Sequence, residues 1–251
     1  LIEPGAFSAL SSLKSLELIN NNLIRIHANS FVGLTQLKYL SVRDNKIIVI
    51  EMGAFRDLNQ LERIYLSQNQ IIENLTSIDR LKSLKRINLA MNRLSETHES
   101  VGEDCLTMNH RPIDLDLDLN YLNPQKINRF KCIRHLKRLS LSELFNTKET
   151  KNIQIDISDF ATVQELFLRN LFIMSIRNLT ILASETTQLK SLNLNGNLIS
   201  NLGDVNFNNL ESLESLSLQQ NPIYRITNCS FKGIVNLKTL DLSNTLITNV
   251  S

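Results

Sequence analysis

The stretch of this 251-residue chain with the most obvious chemical potential is IDLDLDLNYL, residues 113 to 122, where Asp114, Asp116 and Asp118 alternate with leucines. Three neighbouring carboxylates raise metal binding first. Calcium takes about six to eight oxygen ligands, usually from a flexible loop. Strict alternation instead describes a β-strand, whose same-face side chains stand about 7 Å apart and do not converge on one ion. A second set, His98, Cys105, His110 and Cys132, offers two imidazoles and two thiols. Its spacing matches no short zinc motif. The chain has no Gly-rich phosphate loop, no nucleophile elbow and no His–carboxylate pair at motif spacing. No enzyme activity, cofactor or resident metal is therefore expected.

Positioning these residues requires a framework, and the framework is periodic. Aligned on L-x-x-L-x-L-x-x-N, the chain falls into register almost end to end. Leu13, Leu16, Leu18, Asn21 and Leu23 form one unit; Leu37, Leu40, Val42, Asn45 and Ile47 form the next. Further units begin at Leu61, Leu84, Pro112, Leu136, Val163, Leu189, Leu213 and Leu237, with spacings of 23 to 28 residues. A second marker runs in phase: Phe7, Phe31, Phe55, Phe130, Phe207 and Phe231 each stand six residues before a unit. The pattern is identified as that of a leucine-rich repeat. Each x-L-x-L-x core alternates with period two and predicts a short strand with leucines inward. One repeat cannot bury its own leucines, whereas a stack shares one core. The expected fold is an α/β solenoid, a horseshoe with a parallel concave β-sheet and an irregular or 3-10 convex side, over a single segment, 1–251.

The Asn after each strand has an amide that both donates and accepts, so a column of them can satisfy turn groups in neighbouring repeats. Asn21, Asn45, Asn69, Asn92, Asn120, Asn197 and Asn221 form this predicted ladder. Positions 144 and 171 carry Leu instead, and position 245 carries Thr. Missing ladder residues and irregular unit lengths set residues 84–188 apart as an irregular middle, expected to alter local curvature. Insertions in repeats map to loops and often to binding faces. The chain begins and stops within repeats, at LIEPGAFSALSS and LITNVS, without a cysteine cap. Solenoids need capping repeats, so the sequence reads as an uncapped piece of a longer protein.

The regular units with their recurring Phe resemble vertebrate-type extracellular repeats. The stretch INLAMNRLSETHESVGEDCLTMNHRPIDLDLDLNYLNPQKINRF, followed by units lacking the Asn, is similar to Toll-like receptor ectodomains. The likeness is to the branch that includes the lipopolysaccharide receptor, whose irregular middle is longer than this one; here regular repeats resume at Leu189. The resemblance implies a receptor segment for innate immune recognition, bound by a protein co-receptor or microbial ligand, with a receptor homo- or heterodimer as its working form. It implies the extracellular face of the plasma membrane or the endosomal lumen, with the membrane met only through other parts of the chain. An adhesion or matrix protein without signalling, secreted or at the cell surface, is the alternative. An intracellular repeat attached to an enzyme is a third, although its repeats more often run to about 22 or 23 residues.

Charge and composition narrow the partners. The net charge of +2 and the absence of a basic run give no expectation of nucleic-acid binding. No run approaches about eighteen apolar residues, and the opening LIEPGAFSAL lacks the regions of a signal peptide. Cys105 and Cys132 fall at similar phases of successive repeats, which lie about 5 Å apart, within disulfide reach. Zinc ligation and two free buried thiols are the other readings. Cys229 has no partner in this scheme and is expected to be buried or unpaired. Asn74, Asn178, Asn228 and Asn249 head N-x-S/T sequons, about as many as chance gives, and become glycan candidates in a secreted setting.

Register also lists the outward strand positions. Arg86 and Arg138 are expected to flank Asp114 in one column, so the aspartates read mainly as internally neutralised by cross-strand pairs, with partner contact by Asp114, Asp116, Asp118 and Arg138 as the other reading. A more inviting patch joins Tyr39, Arg43, Arg63, Tyr65 and Arg86, residue types that dominate binding hot spots. It suits an acidic partner or ligand.

Overall fold

A computed structural model of the chain describes residues 1–72, 78, 81–95, 113–122, 136–144, 162–176, 188–202, 207 and 210–250. The Cys105–Cys132 pair, His98, His110, Phe130 and the sequon residues Asn74 and Asn178 lie outside them, as does much of the irregular middle.

The chain divides into two compact units, Leu1–Tyr121 with Arg129–His135, and Leu122–Asn128 with Leu136–Ser251. The first unit contains β1 (Ser15–Glu17), β2 (Arg25–Ile26), β3 (Tyr39–Ser41), β4 (Val49–Ile50), β5 (Arg63–Tyr65), β6 (Arg86–Asn88) and β7 (Ile113–Asp116). Its main sheet runs β1-β3-β5-β6-β7 with every pair parallel, and β2 pairs β4 separately. The register follows the repeat: Ser15 faces Tyr39, Tyr39 faces Arg63, Arg63 faces Arg86 and Arg86 faces Asp114.

The second unit contains β8 (Leu136–Ser140), β9 (Glu165–Phe167), β10 (Ser191–Asn193), β11 (Ser215–Ser217), β12 (Arg225–Ile226), β13 (Thr239–Asp241) and β14 (Asn249–Val250). Here β8-β9-β10-β11-β13 form the parallel sheet and β12 pairs β14. The stacked coils make a solenoid of strands and turns; the described residues contain no α-helix. Between strands the backbone descends through three-residue turns, such as Ser8 N–H to Gly5 O, Leu10 N–H to Phe7 O and Leu13 N–H to Leu10 O. These are the expected 3-10-type connections.

The strands stay short because each repeat reverses just after them. One residue per repeat adopts a left-handed backbone immediately before the ladder position. In the first unit these are Asn20, Asp44, Gln68, Met91 and Leu119; in the second, Glu143, Asn170, Gly196, Gln220 and Asn244, all with φ between 54° and 66°. Leu119 ends the extended run in the aspartate stretch, so Asp118 lies beyond β7 rather than within it. Glu143 and Asn170 keep the same geometry before Leu144 and Leu171. The turn therefore survives where the ladder Asn is absent.

Inward leucines close the core. Leu37, Leu40, Leu61, Ile64, Leu166, Leu192 and Leu216 are all buried, each contributing about 1.5–3 kcal/mol by leaving water. Behind them Phe7, Phe31 and Phe55 stack at 6.2 and 6.0 Å between ring centroids, and Phe207 stacks on Phe231 at 6.5 Å. Neighbouring coils come into close contact at Gly33, whose φ is +87° and where an added Cβ would stand 2.9 Å from the Ser8 Cα. Only glycine fits there.

Candidate binding surface

The ladder fixes the coils that carry the surface. Asn69 Nδ2 donates to Val42 O in the preceding repeat (3.1 Å) and to Leu66 O in its own (3.0 Å), while Oδ1 accepts the Ile47 N–H (2.9 Å). Asn45, Asn92 and Asn120 repeat this geometry with Leu23, Ile71 and Leu94 as donors. In the second unit Asn197 accepts from Leu171 and Ile173, and Asn221 from Ile199. Asn21 is exposed and donates to Ile19 O. Thr245 keeps part of the pattern, its hydroxyl donating to Leu242 O at 2.9 Å. Each buried amide thereby occupies backbone groups that would otherwise be orphaned.

On the outward face of the first unit, Tyr39 and Tyr65 pack with ring centroids 5.3 Å apart and a 39° tilt. Arg86 lies beside them. Its Nη2 is 2.8 Å and its Nε 3.3 Å from Asp114 Oδ2. The hydrogen bond to Asp114, and then one to Tyr65, raises the Arg86 pKa above its ordinary value. Arg43 and Arg63 are different: both are exposed, and among the described residues neither guanidinium has a hydrogen bond or ion pair, although the Arg63 charge, behind Lys85 and Lys38, helps to lower the Glu62 pKa. Sequence reasoning missed Ser41, because a serine at an outward position carries no signal. It is fully buried, with its hydroxyl unpartnered, on the strand between Tyr39 and Arg43.

The aspartates serve the scaffold. Asp114 holds Arg86; Asp116 accepts from Asn88 Nδ2 (3.0 Å) and from the Asp118 backbone N–H (3.1 Å). All three are half-buried rather than freely solvated. Among the described residues no group of three or more His, Cys, Asp or Glu is gathered to share a metal ion. Arg138 belongs to the second unit, where it forms an ion pair with Glu165 (3.4 Å) and lies over the Phe167 ring at 4.3 Å. The in-register Glu165 and the adjacent ring satisfy the guanidinium locally.

Elsewhere on the second unit the outward residues satisfy one another. Ser217 Oγ donates to Asn195 Oδ1 (2.6 Å) and Gln219 Nε2 to Asp241 Oδ2 (2.6 Å). Hydrogen bonds from Ser243, followed by that from Gln219, lower the Asp241 pKa. Asn228 is exposed, and Asn249 lies in β14. Cys229 is free and exposed, so of the two expectations, buried or unpaired, the second describes it: its turn directs Ser230 and Ile226 inward instead.

A family model described as leucine rich repeat matches residues 1–47, 35–94 and 187–247. No curated protein sequence matches the chain. Among solved structures, the TLR13 chain of a TLR13–ssRNA13 complex is 21% identical with a TM-score of 0.74, over 98% of this chain and 35% of that one. A chain of the LRIM1/APL1C complex is 19% identical with a TM-score of 0.60, over 99% and 42%. An internalin of Listeria monocytogenes is 22% identical with a TM-score of 0.53, over 98% and 59%. These likenesses are of fold, and the chain spans less than two thirds of each.

Proposed function

The chain belongs to the leucine-rich repeat family, and we propose that it is the ligand- or co-receptor-binding ectodomain segment of a Toll-like innate immune receptor. The observation that carries the binding role is the pair of exposed guanidiniums, Arg43 and Arg63, which have no hydrogen bond or ion pair among the described residues, beside the packed rings of Tyr39 and Tyr65. Scaffold arginines in this protein, Arg86 and Arg138, are neutralised within the sheet; these two are left for something else. Exposed arginines beside half-buried tyrosines anchor interfaces, and the arginines' charge suits an acidic group on a protein co-receptor or microbial ligand. The fold likeness to a Toll-like receptor, with a higher TM-score than the two other chains named, supports the receptor reading. A place on the extracellular face of the plasma membrane or in the endosomal lumen follows from that reading.

The test presents the full-length protein on cells and measures binding of fractionated microbial ligands together with a signalling reporter. The expected result is a ligand-dependent signal that Arg43→Glu with Arg63→Glu abolishes, at unchanged surface expression. Binding without any signal supports an adhesion or matrix protein instead. Unaltered binding by the double variant removes the patch from consideration. A single-stranded RNA oligonucleotide serves as the polyanion control and is expected not to bind, since the net charge is only +2 and no basic run is present.

A further inference from the structure

The residue directly after each ladder position emerges on the side of the coil. In the first unit this row reads Asn22, Lys46, Gln70 and Arg93 before ending on Tyr121; in the second it reads Phe172, Leu198, Pro222 and Leu246. The leucines and the phenylalanine are not buried: Phe172 is 44% exposed, Leu198 45% and Leu246 62%, with Met174 at 58% and Tyr224 at 51% two positions further along. Burial does not explain the row, because the intervening Ile173, Ile199 and Ile223 already fill the core. The same coil position is thus polar in four repeats of one unit and apolar through four repeats of the other. A contiguous apolar patch of this kind marks an interaction surface.

We propose that this row on the second unit docks an acidic amphipathic helix of another protein. Two properties select that occupant. Successive repeats set their side chains about 5 Å apart, close to the roughly 5.4 Å advance of one helical turn. A helix laid along the row therefore brings one apolar residue to each repeat over about three turns. The charge is one-sided as well. The four segments 171–176, 197–202, 221–226 and 245–250 contain no carboxylate and a single cation, Arg225, which is exposed and has no side-chain partner among the described residues. A second copy of the same face brings no carboxylate to meet Arg225, whereas a helix with acidic flanks does. The row uses none of the residues of the Tyr–Arg patch and stands independently of the reading above.

The probe is a synthetic helix of about 16 residues with Leu at one position per turn and Glu on both flanks, compared with a Lys-for-Glu counterpart. Binding to the full chain is read by fluorescence anisotropy. The Glu helix should bind saturably and at least roughly tenfold more tightly than the Lys helix. Phe172→Asn with Leu198→Glu should weaken it by roughly tenfold or more. Asn tolerates the left-handed backbone of Phe172 (φ 59°) better than Phe does, and both side chains are exposed, so the melting temperature should not fall. Arg43→Glu with Arg63→Glu should leave this binding intact, which separates failure here from failure of the patch. No saturable binding, equal binding by the Lys helix, or full binding by the Phe172/Leu198 variant overturns the proposal. Concentration-dependent dimerisation of the chain alone that the same variant abolishes also overturns it, assigning the row to a second copy.

Discussion

Arg86 and Asp114 are register partners on adjacent parallel strands, and their side chains close a 2.8 Å ion pair on the outward face of the first unit. The pair fills one end of a surface whose other guanidiniums, Arg43 and Arg63, are open. Both partners are partly exposed, so the pair is screened and contributes modestly. Asp114→Ala should destabilise the protein by about 1 kcal/mol or less. The cost should shrink further at about 1 M salt, where the Debye length falls to roughly 3 Å. Urea unfolding at low and high salt measures this; a large, salt-independent loss would show Asp114 acting through packing rather than charge.

Asn69 is the sharper dependency. Its buried amide serves one N–H and carbonyls in two repeats, and truncation to Ala strands them without water. Asn69→Ala should cost about 2–4 kcal/mol, given roughly 1–3 kcal/mol per unsatisfied buried group and incomplete additivity. Asn69→Thr should cost less, because Thr245 shows that a hydroxyl at the ladder position reaches the carbonyl three residues back. Denaturant midpoints of the two variants give the ordering directly.

Met91 holds a φ of 55° with its side chain 45% exposed. Left-handed backbone costs an ordinary L-residue about 1–2 kcal/mol, and Asn least among them. Met91→Asn should therefore stabilise the chain by about 0.5–1 kcal/mol, visible as a raised melting temperature. Gly196→Ala should do the reverse. Gly196 is also left-handed, and a Cβ there would collide with the Asn170 side-chain amide.

Four half-buried carboxylates set the acid limb of stability. The Ala28 N–H, then Arg25 and His27, hold Glu51 below the ordinary carboxylate range; Lys85 lowers Glu62 and Lys238 lowers Glu214. Ser243 and Gln219 lower Asp241. A depressed folded-state pKa means that the unfolded chain binds the proton first, so stability rises with pH through that interval. The contribution is fully present above the unfolded values, near 4, and is lost as pH falls through the lower folded ones. Melting temperature should be flat from about pH 6 to 8 and decline below about pH 4.5. Glu62→Gln should lower the plateau and flatten the decline, whereas an unchanged profile would leave Glu62 without a role in it.

The sequence by itself determined the repeat, the strand register and the ladder. A hydrophobic period of two inside a period of about 24 admits one stacking in which every leucine is buried. It also places the outward residues in their columns, Tyr39 beside Arg63 and Arg86 beside Asp114, since register is a property of spacing. Only the tertiary structure decided which outward residues are engaged. Whether Arg138 reaches Glu165, whether Arg63 reaches anything, and whether Ser41 is buried depend on rotamers and neighbouring side chains across about 5 Å of sheet. The same holds for the left-handed residue before each ladder position. Met91, Leu119 and Glu143 give no local signal for it, because ladder and core hydrogen bonds from adjacent coils impose a conformation that their own propensities resist.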